Sequence, residues 1–172
     1  MENFIRNSLL PAATLLLALG TVSETLAATD SAQSEITLQF NETIQIERVD
    51  NITISDPIPG QAAQGTDTFC VAGSGFSTFS ITFANLGTDP TFFLSGSAGA
   101  RVDYDVLFLN STTGPAPTLV MPGIPLNNQT LQASNCADDN ARFNILIFPG
   151  QWEPVQNFAP FTGTLMITVA SE

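Results

Sequence analysis

Residues 34–54 read SEITLQFNETIQIERVDNITI, and apolar side chains fall on alternate positions. Ile36, Leu38, Phe40, Ile44, Ile46, Ile52 and Ile54 fill seven of the ten even positions from 36 to 54, whereas Val49 is the only apolar residue at an odd position. A period of two over such a length requires extended chain with one dry face and one wet face. At about 3.3 Å per residue the run would span roughly 70 Å, several times an ordinary strand. It therefore has to break, and the polar Asn41-Glu42-Thr43 is the natural point. That leaves a short apolar strand (Ile36, Leu38, Phe40) followed by a first domain strand from Ile44 onward. The short strand either returns to its own domain or pairs with a neighbour.

The preceding residues set the compartment. Arg6 lies in a short n-region, residues 8–20 are an apolar run containing LLLALG, and Thr25-Leu26-Ala27 ends in small residues. This pattern predicts a secretory signal peptide over residues 1–27. The run is too short for a bilayer span of about 20 residues, and no later one is long enough, so membrane insertion is not expected. The exported chain that remains is expected to be one domain. It keeps three arginines, no lysine and no histidine against fourteen carboxylates. Nucleic acid and anionic membrane are poor partners for such a field. Cys70 and Cys136 in an exported chain read by default as a disulfide. A metal pair lacks histidine, and a catalytic thiol lacks a base.

Short apolar segments recur along the rest of the chain, separated by turns. Asp56-Pro57-Ile58-Pro59-Gly60 is a turn, and residues 61–67 (QAAQGTD) read as a polar linker into Phe69-Cys70-Val71. Phe79, Ile81 and Phe83 share one face of a strand; Val102, Tyr104, Val106 and Phe108 share another, opposite Asp103 and Asp105. Residues 111–125 hold four prolines and read as irregular chain or short edge strands, and residues 129–133 as a brief strand. Residues 142–148 are apolar enough to be buried on both faces, residues 149–161 form a loop rich in proline and aromatics, and a last strand covers residues 164–170. No window has sustained helical periodicity. About eight short strands with turns every 8–12 residues predict an all-β sandwich.

Catalytic chemistry finds little footing. Without histidine most acid–base and nucleophilic schemes are closed. Asp103 and Asp105 face the same way, as a glycosidase pair would, but also as any wet strand face does. Asp138-Asp139-Asn140 is either an acidic turn or a weak Ca²⁺ loop, and no metal site or cofactor is expected. Trp152, Phe158 and Phe161 crowd one loop, where they either stack on a sugar ring or cap the end of the sandwich. The sequons at Asn41, Asn51, Asn110 and Asn128 carry little weight in a chain this rich in Asn and Thr.

The order of motifs carries a resemblance. Residues 44–54 (overlapping IERVDNITIS at 46–55), Cys70-Val71, FSTFSITF, Tyr104 to Phe108, Cys136 before the penultimate strand, and Gly163 before the final strand follow one another along nearly the whole exported chain. In this the chain resembles the spore coat protein U family, which includes subunits of archaic chaperone–usher pili. It departs at the end: family members commonly carry G-x-Y-x-D, and here Gly163 is followed by Thr164-Leu165-Met166-Ile167. The resemblance implies an immunoglobulin-like β-sandwich over residues 43–172 lacking one strand, preceded by a donor-strand extension over residues 28–42. It implies a groove lined by Ile44, Ile46, Leu165, Ile167 and Val169, filled by Ile36, Leu38 and Phe40 of the next subunit. The expected partners are neighbouring pilus subunits, a periplasmic chaperone and an outer-membrane usher, with transit through the periplasm to the cell surface. The competing expectation is a self-contained secreted adhesin or carbohydrate-binding sandwich using the loop of Trp152, Phe158 and Phe161.

Overall fold

The structure is a computed structural model that describes residues 30–114 and 117–172; the expected signal peptide lies outside the described residues. Residues 30–42 carry no helix or strand, and each is exposed. Residues 38–172 form a compact unit. Its strands are β1 (Thr43–Glu47), β2 (Ala63–Ser74), β3 (Thr78–Asn85), β4 (Phe92–Ser95), β5 (Arg101–Leu109), β6 (Thr118–Val120), β7 (Leu126–Thr130), β8 (Ala141–Ile147) and β9 (Leu165–Ser171). One sheet runs β1-β2-β8-β5-β4, with β6 also paired to β5, and the other runs β7-β3-β9. Every pairing is antiparallel. Among the described residues no helix is long and apolar enough to cross a membrane. The fold is an all-β sandwich.

Period-two patterning makes the strands two-sided. Phe79, Ile81 and Phe83 of β3, and Val102, Tyr104, Val106 and Phe108 of β5, are all buried. Four phenylalanines join the sheets. Phe83 from the smaller sheet sits 5.7 Å from Phe108 and 5.8 Å from Phe143, ring centre to ring centre, and Phe69 lies 6.3 and 5.9 Å from the same two rings. Tilted and edge-on rings at these separations add to the burial of their area.

The second half of β2 is completed by a side chain. Beyond Phe69 the strand no longer pairs with β8, and Asn140 takes over. Its amide accepts from Val71 N–H at 2.9 Å and donates to Val71 C=O at 2.8 Å, as a neighbouring peptide would. The backbone of Gly73 donates to Ala133 C=O in the same loop, and the Cys70–Cys136 disulfide fastens that loop to β2.

Several sequence expectations need correction. Residues 44–54 do not form one strand: β1 ends at Glu47 because Arg48 adopts a φ of 66°, which turns the chain off the edge of β2. Residues 48–62 then run as a strap without strand pairing. The polar linker at 61–67 is mostly strand, since Ala63–Phe69 pair in register with Ala141–Ile147 and ladder hydrogen bonds prevail over local composition. β7 lies at Leu126–Thr130 rather than at 129–133. The outer face of β8 (Arg142, Asn144, Leu146) is half-buried instead of buried. Within the loop expected at 149–161 the chain winds into a one-turn helix, Pro149–Trp152, and a 3-10 turn, Glu153–Phe158.

Candidate functional site

The sandwich is open along one side. Among the described residues β1 pairs only with β2 and β9 pairs only with β3, so each presents a row of unpaired backbone groups. The two strands come within 8 Å, Cα to Cα, yet no backbone hydrogen bond joins them among the described residues. Ile44 and Ile46 lie opposite Gly73 and Val71, which places them on the core-facing side of β2. Leu165, Ile167 and Val169 alternate with exposed Met166, Thr168 and Ala170 along β9. These five inward residues are half-buried against the core. Both edges are therefore unpaired and lined with half-covered apolar side chains, the kind of edge to which a further strand can add.

One end of this open side is tied. Ser171 Oγ donates to Glu42 Oε2 at 2.8 Å, and the Thr43 and Ser74 hydroxyls are 2.9 Å apart. Glu172 N–H reaches Thr78 C=O at 2.9 Å, and the Glu172 carboxylate accepts from Asn128 N–H at 2.7 Å. Phe76 lies across Gly73, where an added Cβ would stand 2.6 Å from its ring and against Thr43 C=O. Toward the other end the strap lies on the first half of β2. Ile52 and Ile54 cover Gly65 so closely that a Cβ there would overlap Ile52 and approach Ile54 to 3.2 Å. Asp67, on the same inner face, is buried and accepts from Asp50 N–H at 3.0 Å. Burial raises its pKa, and the nearby charges of Asp50 and Asp139 push in the same direction.

The remaining sequence candidates fall elsewhere. Ile36, Leu38 and Phe40 are 91, 77 and 73% exposed. Trp152 is buried in the core rather than presented to a ligand. Phe161 packs over Gly96, and the backbone of Phe158 accepts from Ser97 Oγ at 3.0 Å. The three aromatics therefore form no common exposed face. Asp103 is bound to Arg101 Nε at 2.6 Å, and the same guanidinium grips Asp89 at 2.7 Å, holding its carboxyl well below the usual range. Within Asp138-Asp139-Asn140, Asp139 pairs with Arg48 at 2.9 Å and accepts from Thr68 Oγ1, while Asn140 serves Val71. Arg48 also donates to Ala137 C=O, and Arg142 to Thr112 C=O. Among the described residues no cluster of His, Cys, Asp and Glu is arranged to hold a metal. Sequence reasoning missed the Ile52–Ile54 contact with Gly65, buried Asp67 and the strand-mimicking Asn140. Alternation at 52 and 54 was a signal for the first; nothing local marked the other two.

No family model and no curated protein matches the chain. Among solved structures the chain is similar, at 19% identity and a TM-score of 0.46, to one described as "Chaperone-tip adhesin complex is vital for synergistic activation of CFA/I fimbriae biogenesis". The alignment covers 75% of this chain and 42% of that one, so this chain spans less than half the length of that protein.

Proposed function

We propose that the chain is a non-catalytic structural subunit of a secreted surface fibre, in which the cleft between β1 and β9 receives the Ile36, Leu38, Phe40 segment of the next copy. The observation that carries this reading is the pairing of a vacancy with a match. Two unpaired edges are lined by half-buried apolar residues, and three alternating apolar side chains of the same chain stand exposed. Strand addition to a sheet edge uses backbone hydrogen bonds for affinity and alternate side chains for fit. Magnitudes show which matters more. Burying three such side chains gives about 5–9 kcal/mol, and ordering five residues costs about 5–10 kcal/mol. Apolar burial alone breaks even, so the hydrogen bonds to the two free edges, each worth about 0.5–1.5 kcal/mol net, decide the affinity.

A head-to-tail contact of this kind does not close and so propagates. Before its neighbour arrives the cleft needs a cover, which is the role for a periplasmic chaperone and an outer-membrane usher in this reading. The alternative of a self-contained sugar-binding module loses its platform with Trp152 in the core. Light scattering after size exclusion tests the proposal on the chain refolded alone. The unaltered chain should form a ladder of oligomers, and the variant Ile36→Ser/Leu38→Ser/Phe40→Ser should not. A unaltered chain that stays monomeric at all concentrations would falsify the fibre reading.

A further inference from the structure

We infer that the strap at residues 48–56 is a built-in stop that limits the cleft to a strand with three alternating apolar side chains. The inference rests on the strand-uptake reading above and adds to it a rule for length. The inner face of β2 presents Ala63, Gly65, Asp67, Phe69, Val71 and Gly73 in succession. β1 flanks only Cys70–Ser74. Over the first half of β2 the inner face is small or polar (Ala63, Gly65, Asp67), and the missing apolar bulk comes from Ile52 and Ile54 of the strap. That space is already filled in cis.

What stays open is short. The free edge of β1 is five residues long, and an extended strand beside it would place three side chains on one face. β9 offers three inward residues, Leu165, Ile167 and Val169, and the exposed segment carries three, Ile36, Leu38 and Phe40. The strap makes no ladder: beyond its apolar contacts it is held by Asp50 N–H on the Asp67 carboxylate and by the Arg48 side chain on Asp139 and Ala137 C=O. It therefore offers no backbone row for a longer strand to extend along, and its two isoleucines occupy the position of a fourth and fifth side chain. Gly65, Ile52 and Ile54 are the specificity-determining residues, and the occupant is residues 34–41 of a second copy.

The test uses the full chain with Ile36→Ser, Leu38→Ser and Phe40→Ser, which cannot donate. Three labelled peptides are titrated by fluorescence anisotropy: residues 34–41, and two extensions that add a further pair of alternating isoleucines at one end or the other. On the chain with its own strap, both extensions should bind within twofold of the short peptide. With Ile52→Ser/Ile54→Ser added, one extension should gain tenfold or more. An extension that already binds tenfold tighter to the unaltered strap, or no gain in a folded strap variant, overturns the stop while leaving strand uptake intact. If none of the peptides binds, strand uptake itself fails and the stop falls with it. Should the strap variant not fold, hydrogen exchange on the chain with the native strap decides. Amides 49–55 should keep or gain protection when the short peptide binds, and their loss of protection would overturn the stop.

Discussion

Asp67 within β2, and Asn140 bonded to β2 from the loop before β8, are polar side chains given opposite tasks. Asn140 fills both hydrogen-bonding positions of Val71, so its polarity is fully used. Asp67 satisfies one backbone N–H while its charge is held out of water beside Asp50 and Asp139, and its pKa is raised. The folded chain thus binds the Asp67 proton more tightly than the unfolded chain does. Its contribution to stability is most favourable below the ordinary carboxylate pKa and is lost as the pH climbs through the raised value. Asp67→Asn keeps an acceptor for Asp50 and removes the charge. Urea denaturation should show the variant more stable at pH 7, on the order of 1 kcal/mol, with the difference shrinking toward pH 3. A loss at pH 7 would mean that the carboxylate charge is itself required. Neither residue was legible in the sequence. Asp67 sits in a stretch that reads as linker, and the role of Asn140 depends on β2 and a loop far apart in the chain.

Among the elements, strands with strict alternation were readable because burial on one face needs only a count by two. β3, β5 and β9 fall within a residue or two of where the apolar spacing puts them. The strap was misread for the same reason. Ile52 and Ile54 keep the even parity of Ile44 and Ile46, but the turn at Arg48 moves them from a strand onto Gly65 of β2, half-buried against the core. Likewise the first half of β2 lacks apolar side chains because the strap supplies them, a substitution visible only in three dimensions. The alternation of Ile36, Leu38 and Phe40 was plain, whereas the free edge it would join depends on which strands fail to pair. Gly65→Val measures the fit of strap to strand. Overpacking at this contact should cost about 1–3 kcal/mol in chemical denaturation, and amides 49–55 should exchange faster. Unchanged stability would show that the strap yields freely.

For the whole molecule, the Cys70–Cys136 bond closes 66 residues of separation and pins the loop that stands in for β8 along the second half of β2. Closing a loop of that length stabilises by about 4 kcal/mol in the chain-entropy account. Cys70→Ala/Cys136→Ala should lower the unfolding free energy by about 2–4 kcal/mol, read from the guanidinium midpoint, with the circular-dichroism signature of the sheets retained. A different trait of the molecule concerns its cations. Each arginine of the described residues is occupied: Arg48 by Asp139 and Ala137, Arg101 by Asp89 and Asp103, Arg142 by Thr112. With no lysine anywhere in the chain, a trypsin-like protease has few bonds to read in this unit. Arg101 and Arg142 lie within paired strands, which leaves the exposed Arg48 as the bond such an enzyme would reach first; in a fibre of the kind proposed, that scarcity of cleavable bonds would lend durability without a single covalent link between copies.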